Sequence, residues 1–410
     1  MLRPRSGRRL PRELRARHVG RLAAGLADGL EGPAFEALLQ RIEQSPIYPG
    51  NQIAVYLAGD QAFAAMQAAV EAAEREVLLE SYIFKDDPIG CRLFAALAAA
   101  VRRGVQVRVM ADGLGSASTR SAFWQSMAEQ GIEAHLFHPI FGQLWYQPFR
   151  DHRKILVVDR RIAFTGGMNI GEEYGSPSGA KGAWRDSHLR LAGPAAWEMA
   201  TVFCEGWERA GGLPFALSPM VLKEAGEEGA RVLVLDARPL RGSAEAISTL
   251  TAIAAAARRT LWITNAYFAP GHGAVRVLSG AARRGVDVRL LLPGRTDVPI
   301  VRHAGHGFFA ALLRHGVRIF EYEAAVLHAK SMVADGYVAV MGSTNLDFRS
   351  FLFNAECNLV ILDREVAGQL EQAFTGDLRS ATELDGAAWR RRPFAHRTLD
   401  RAARLLSPLL

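Results

Sequence analysis

Two stretches, "DHRKILVVD" (151–159) and "LHAKSMVAD" (327–335), each place a histidine, a lysine two residues on and an aspartate five further along. An imidazole can attack phosphorus or carry a proton, and an ammonium beside it can neutralise phosphate oxygens. His152 with Lys154, or His328 with Lys330, therefore offers half of a mechanism. Displacement at a phosphodiester needs a nucleophile on one side and an acid for the departing oxygen on the other. Two copies facing each other supply both, together with two ammonium groups. The repetition predicts one site at the seam between two similar halves, in which neither copy suffices.

Each histidine also needs a carboxylate on its far ring nitrogen, to fix the tautomer and steady the imidazolium. After the first motif "WRDSHLRLAGP" offers Asp186, and after the second "FNAECNLVILD" offers Glu356. Both lie in strand-like segments expected to pair beside the motif that precedes them. Asn169 in "GGMN" and Asn345 in "GSTN" are placed to donate amide hydrogen bonds to phosphate oxygens, and Ser343 offers a hydroxyl for the same purpose. Asp159 and Asp335 complete the motifs but fall in turns, where salt bridges that hold the hairpin are expected more than proton chemistry. Lysine is scarce, five residues against 44 arginines, and two of the five occupy the matching motif positions. That fits a site needing a compact ammonium in place of a planar fork. The histidines at 135, 138, 188, 272, 303, 306 and 315 lack this symmetry and read as structural or surface groups. No cluster has zinc-ligand spacing and no P-loop appears, so neither metal nor cofactor is expected.

The elements that must position these residues come in duplicate. "REVLLESYIFKDDPIGCRLFAALAAAVRRGVQVRVMADG" (75–113) corresponds to "RTLWITNAYFAPGHGAVRVLSGAARRGVDVRLLLPG" (259–294), and "MAEQGIEAHLF" to "LLRHGVRIFEY". Tyr82 answers to Tyr267, Gly104 to Gly285 and His152 to His328, with an offset that drifts as loops differ. That is the mark of two homologous halves and not of a short-period solenoid. Each half reads as strand, helix, strand, helix and then a hairpin. Its short apolar runs are rich in β-formers, and its helices stop at glycine with arginines in the last turn. Strand–helix succession predicts an α/β fold with a partly parallel sheet flanked by helices. On a strand, residues two apart share a face, so His152 and Lys154 are expected to point the same way, as are His328 and Lys330. The expected organisation is a basic segment over 1–45, a first domain over 46–215, a linker over 216–230, a second domain over 231–380 and a basic tail over 381–410.

Composition limits the setting. The formal charge is +7, and the first 21 residues hold eight arginines and one acid, Glu13. "WRRRPFAHRTLDRAARLL" repeats the basic character near the other end. Arginine-rich termini point to a polyanionic surface, either anionic lipid or nucleic acid. No apolar run is long enough to span a bilayer, and no secretion signal is visible. Cys91, Cys204 and Cys357 show neither pairing nor ligand spacing, which fits reduced thiols in the cytoplasm.

The paired H-x-K-x4-D motif resembles the signature of the phospholipase D superfamily. "DHRKILVVDRRIAFTGGMNIGEEY", "TDVPIVRHAGHGFFAALLRHGVRIFEYEAAVLHAKSMVAD" and "GSTNLDFRSFLFNAECNLVI" resemble more narrowly its bacterial cardiolipin synthases, over roughly residues 50–365. The resemblance implies two phospholipase D-like α/β domains related by a pseudo-two-fold axis, with the active site at their interface. It implies ping-pong phosphatidyl transfer through a phosphohistidine, two phosphatidylglycerols giving cardiolipin and glycerol. His152 would attack the donor phosphorus and His328 protonate the departing glycerol, or the reverse. Lys154, Lys330, Asn169 and Asn345 would hold the phosphate oxygens.

Many cardiolipin synthases begin with two spanning helices that this chain lacks, which leaves membrane attachment to the termini. In "HRTLDRAARLL", Arg397, Arg401 and Arg404 are expected on one helical face and Leu399, Ala402, Ala403 and Leu406 on another, as in a helix lying on anionic lipid. The expected place is peripheral, on the cytoplasmic face of the bacterial cell membrane, with phosphatidylglycerol as substrate and no nucleic acid partner. A lipid or nucleic acid hydrolase using the same histidines, a phosphatidyltransferase using phosphatidylethanolamine or another alcohol, and a non-catalytic anion-binding module are the competing readings.

Overall fold

The computed structural model describes residues 15–139, 148–176, 182–217, 228–239 and 243–407. Most of the linker expected over 216–230, and the first fourteen residues of the basic segment, lie outside these.

Two helices, α1 (Ala16–Ala24) and α2 (Pro33–Glu43), precede the first half. That half runs β1 (Tyr48–Tyr56), α3 (Gly59–Glu71), β2 (Glu76–Ser81), α4 (Pro88–Arg102), β3 (Gln106–Asp112), α5 (Ser121–Glu129) and β4 (Glu133–Phe137). Its motif region follows as β5 (Arg150–Asp151), β6 (Lys154–Val158), β7 (Ile162–Gly166), α6 (Glu172–Gly175), β8 (His188–Ala192) and α7 (Ala195–Arg209). The second half begins β9 (Ala230–Ala237), α8 (Ser243–Ala256), β10 (Thr260–Asn265), α9 (Gly271–Arg283), β11 (Asp287–Pro293), α10 (Pro299–Arg314) and β12 (Arg318–Tyr322). It continues β13 (Lys330–Ala334), β14 (Val338–Gly342), α11 (Phe348–Leu352), β15 (Asn354–Leu362) and α12 (Arg364–Leu378). The chain then adds β16 (Ala381–Glu383), α13 (Gly386–Arg390) and α14 (Phe394–Leu405).

All but β5 of these strands lie on one path, β16-β12-β11-β10-β13-β14-β15-β9-β1-β8-β7-β6-β2-β3-β4. Read outward from the antiparallel β9–β1 contact, the two directions match strand for strand as far as β12 and β4, with β16 added on one side, which is the duplication made visible. Along this path parallel pairing is confined to β2-β3-β4 and β10-β11-β12, where helices make the crossovers. The local chemistry is repeated too. Asp87 caps α4 by accepting from the Gly90 amide at 3.0 Å, with Pro88 in the first turn. The chain leaves α4 at Gly104 (φ 90°) and α9 at Gly285 (φ 91°), left-handed positions that glycine occupies without a Cβ penalty.

Helices α3, α4 and α5 cover the outer face of the first half, and α8, α9 and α10 that of the second, while α7 and α12 pack on the other face of the sheet. Residues 15–45, within the basic segment expected outside the repeat, contribute to the second half's core. Phe35, Leu39 and Ile42 of α2 and Val19 of α1 are fully buried there against α8. Each such side chain contributes about 1.5–3 kcal/mol of transfer free energy, which explains why an arginine-rich segment docks. At the other end β16 extends the sheet beyond β12.

The faces of α14 differ from those expected. Ala403 and Asp400 are buried against α10, Asp400 accepts from His303 Nδ1 at 2.9 Å, and Arg404 donates to the Gly307 carbonyl at 3.2 Å. Arg404 and Ala403 thus face the protein, because Gly307 and Ala403 are small enough for the two helices to approach closely. Phe394, Leu399, Leu405 and Leu406 are left exposed.

Candidate active site

Each motif is stitched to the opposite half through the backbone. β5 pairs in parallel with the start of β15, and the His152 amide donates to the Ala355 carbonyl at 2.9 Å. The mirror image holds for the second motif, where the His328 amide donates to the Arg185 carbonyl and the Arg185 amide to the Val326 carbonyl, both at 2.8 Å. The consequence is an exchange of carboxylates. His152 Nδ1 lies 3.0 Å from Glu356 Oε2, and His328 Nδ1 lies 2.7 Å from Asp186 Oδ2.

The sequence had paired Asp186 with the first histidine and Glu356 with the second. Sheet order explains the reversal. Within a half, β7 separates β6 from β8 and β14 separates β13 from β15, so a motif and its own downstream acid stand two strands apart, roughly 9–10 Å. Across the seam they are neighbours. With Nδ1–H donating to a carboxylate, Nε2 is the nitrogen left for chemistry in both rings.

The lysines are fully buried beside these rings. Lys154 Nζ donates to the His152 carbonyl at 2.7 Å, while Lys330 Nζ donates to the His328 carbonyl and stands 3.0 Å from His328 Nδ1. Burial pushes Lys154 down to about 7 and Lys330 down to about 8. The charges act across the seam, since Lys330 also depresses His152 and Lys154 also depresses His328. Burial, reinforced by these lysines, holds both imidazoles below their ordinary value and therefore neutral near pH 7. Burial pushes the two carboxylates up, yet His328 and Lys330 keep Asp186, and His152 and Lys154 keep Glu356, below the usual range. The empty site thus holds two carboxylates, two neutral imidazoles and two lysines poised to take up protons when an anion arrives.

Several expected residues do other work. Ser343 Oγ donates to Glu356 Oε2 at 2.5 Å, and Ser350 Oγ and Asn354 Nδ2 reach Glu356 Oε1 at 2.8 and 3.3 Å, so Ser343 positions a carboxylate in place of holding phosphate. The corresponding position in the first half is Gly167, where a Cβ would stand 2.1 Å from Asp186 Oδ1. Asn169 is buried with its amide donating to the Tyr174 hydroxyl at 2.8 Å, and its carbonyl accepting from the Ile83 amide at 3.2 Å. Asn345 is buried as well, and its side-chain oxygen has no partner among the described residues.

Asp159 accepts from the successive amides of Glu74, Arg75 and Glu76 at 2.8–3.0 Å, and Asp335 from those of Arg258, Arg259 and Thr260 at 2.8–2.9 Å. Both adopt left-handed backbone (φ 52° and 53°) just past the ends of β6 and β13, the ends away from the lysines. Their bonds are to main-chain amides that open β2 and β10, and not the salt bridges expected. They anchor the hairpins and touch no reacting atom.

Aromatic rings complete the walls. Tyr82 lies 4.9 Å from the His152 ring and Tyr267 5.9 Å from the His328 ring, with Lys154 Nζ 5.3 Å and Lys330 Nζ 5.9 Å from the respective tyrosine rings. Trp184 and Tyr174 flank His328 at 5.2 and 5.4 Å. Sequence reading did not name the tyrosines as site residues, although the alignment of Tyr82 with Tyr267 was the signal.

A duplicated α/β sheet whose two His-x-Lys strands close on one buried site is the architecture of the phospholipase D-like class. The family described as "Cardiolipin synthase, PLD-like domain" matches residues 66–175 and 250–378, and the chain belongs to it. It is 36% identical to a cardiolipin synthase of Geobacillus kaustophilus over 91% of this chain and 75% of that protein. It is 35% identical to cardiolipin synthase A of Pseudomonas putida over 93% of this chain and 80% of that protein. Among solved structures, the phosphatidylserine synthase of Haemophilus influenzae superposes with a TM-score of 0.72 at 13% identity, covering 91% of this chain and all of that one, a likeness of fold.

Proposed function

We propose that the protein is a cardiolipin synthase that joins two phosphatidylglycerol molecules, with release of glycerol, through a phosphohistidine. The observation that carries this reading is the exchanged pair of contacts, His152 with Glu356 and His328 with Asp186. In the first step the neutral Nε2 of one histidine attacks the donor phosphorus. The P–O bond to glycerol breaks, and the other histidine, drawn into its protonated form by the bound phosphate, gives its proton to the leaving oxygen. In the second step that histidine takes the proton of an acceptor hydroxyl, whose oxygen displaces the imidazole from phosphorus. We assign the attack to His152, by analogy with the family. Lys154 and Lys330 balance the charge on the equatorial oxygens.

Attachment to the cytoplasmic face of the membrane through basic amphipathic helices completes the proposal. No helix among the described residues is long and apolar enough to cross a membrane. Helix α14 exposes Phe394, Leu399 and Leu405 beside Arg397 and Arg401, and α1 exposes Arg17, Arg21 and Leu22. Both dock on the helical layer formed by α8, α9 and α10, which favours one contact surface for an anionic bilayer.

Purified protein incubated with labelled phosphatidylglycerol vesicles tests the reading. Diphosphatidylglycerol and glycerol are the expected products. Phosphatidic acid alone would assign the site to hydrolysis instead.

A further inference from the structure

A cavity of about 620 Å³ lies beneath α1, α8, α9 and α11 in the second half. Its interior is mainly apolar, with Ile263, Leu278, Met332 and Phe351 among its walls and the hydroxyl-bearing Thr251 beside them, and its basic groups are Arg17 and Arg21 of α1 and His272 and Arg276 of α9. These four are exposed, so positive charge rims an apolar interior. Volume and lining are those of a site for a mainly apolar ligand with a few orienting polar groups.

The cavity adjoins the site already described through shared wall residues. Its wall includes Leu346, which follows Asn345 directly, and Phe348 and Phe351 of α11, the helix whose Ser350 holds Glu356. A narrow void of about 30 Å³, lined by Lys330, Asn265 and Thr344, shares Leu250, Ile263, Met332 and Leu346 with it. The matching position in the first half is more closely filled. Aligned through Gly104 and Gly285, α9 presents Gly273 and Ala274 where α4 presents Arg92 and Leu93, and the hollow beside those two measures about 110 Å³.

We propose that this cavity binds an acyl chain of the phospholipid whose phosphate occupies the His–Lys site, the chain passing over α11 while the rim arginines face the anionic lipid surface. This rests on the reading that the substrate is a phospholipid. A charge-rimmed apolar hollow that shares its walls with a void beside Lys330 matches an anionic headgroup joined to a hydrocarbon tail.

The test uses the full-length protein with vesicles of phosphatidylglycerol carrying a photoreactive diazirine at the end of one acyl chain. Cross-links mapped by mass spectrometry are expected on α9, α11 and the facing side of α8. A Cβ at Gly273 meets nothing within 4 Å, so Gly273→Trp can fill the space without a backbone clash and should remove those adducts. Ala274→Leu serves as a milder plug should the first variant fail to fold. In turnover, either plug should raise the KM for dioleoyl-phosphatidylglycerol about tenfold relative to that for the dihexanoyl lipid. Adducts confined to the exposed faces of α1 and α14, or a KM ratio unmoved by both plugs, would overturn the proposal. Cavity adducts without cardiolipin formation would leave the pocket standing and remove the synthase reading. Cardiolipin formation without cavity adducts would do the opposite.

Discussion

His152 Nδ1 and Glu356 Oε2 are 3.0 Å apart across 204 residues of chain, and His328 and Asp186 make the reciprocal contact at 2.7 Å. Neither motif histidine takes its carboxylate from its own half. The duplication has been joined so that each copy completes the other.

The exchange sets the first prediction. Glu356→Gln keeps the shape and one accepting oxygen but removes the charge that steadies His152, so kcat should fall about 10–100-fold with little change in KM. Ser343→Ala, which loses one of the donors to Glu356, should lower kcat less, with the same sign. Equal kcat for Glu356→Gln and the unaltered enzyme would show that the contact has no role in turnover.

The buried lysines set a pH dependence. Their values of about 7 and 8 lie below the 10.5 of a free lysine, so between these limits the unfolded chain binds more protons than the folded one. The lysines alone therefore make stability rise with pH over that window. Anion binding runs the other way. A bound oxyanion restores the protons, so the complex holds more of them than the empty site. Sulfate, whose charge is constant over the range, should inhibit with a constant that weakens roughly tenfold or more from pH 7 to pH 9. A pH-independent inhibition constant would contradict the account.

Behind the site Arg153 is wholly buried, donating to Asp236 at 2.6 Å and to Glu80 at 3.4 Å. Arg153→Met removes the cation beside Glu80 and one of the two guanidinium groups on Asp236, which keeps Arg238 at 2.6 Å, so denaturant unfolding should show a loss of about 3 kcal/mol, the lower end for a broken buried pair. A loss under about 1 kcal/mol would mean that the acids are neutralised by other means.

Membrane attachment is tested on the exposed side of α14. Replacing Arg397 and Arg401 by glutamate leaves the buried contacts of Asp400 and Ala403 in place. At about 1 kcal/mol per basic residue near an anionic surface, binding to phosphatidylglycerol vesicles should weaken tenfold or more. Undiminished binding at physiological salt would remove α14 from the membrane surface.

Much of this was legible in the chain. The repeat, the parallel strand pairs and the two motif hairpins follow from apolar periodicity and from paired landmarks such as Tyr82 and Tyr267, although His152 and His328 stand just before the strands that begin at Lys154 and Lys330. The ownership of the carboxylates was not. It depends on β5 pairing with β15 and on the bridge from Arg185 to Leu327, contacts between segments remote in sequence that no local pattern encodes. Ser343 was misread for a related reason, since a hydroxyl near a phosphate site and one beside a buried carboxylate look alike in sequence. The docking of α1 and α2 was hidden because arginines dominate the segment, although Phe35, Leu38, Leu39 and Ile42 already fall on one helical face.

The central claim is that one phosphorus is handled by both histidines. Steady-state cardiolipin formation by His152→Ala and by His328→Ala measures it most directly. Both variants should lose about 10³-fold or more in kcat, because each lacks either the nucleophile or the acid. If either one turns over at near the unaltered rate, the halves work separately and the shared site is wrong.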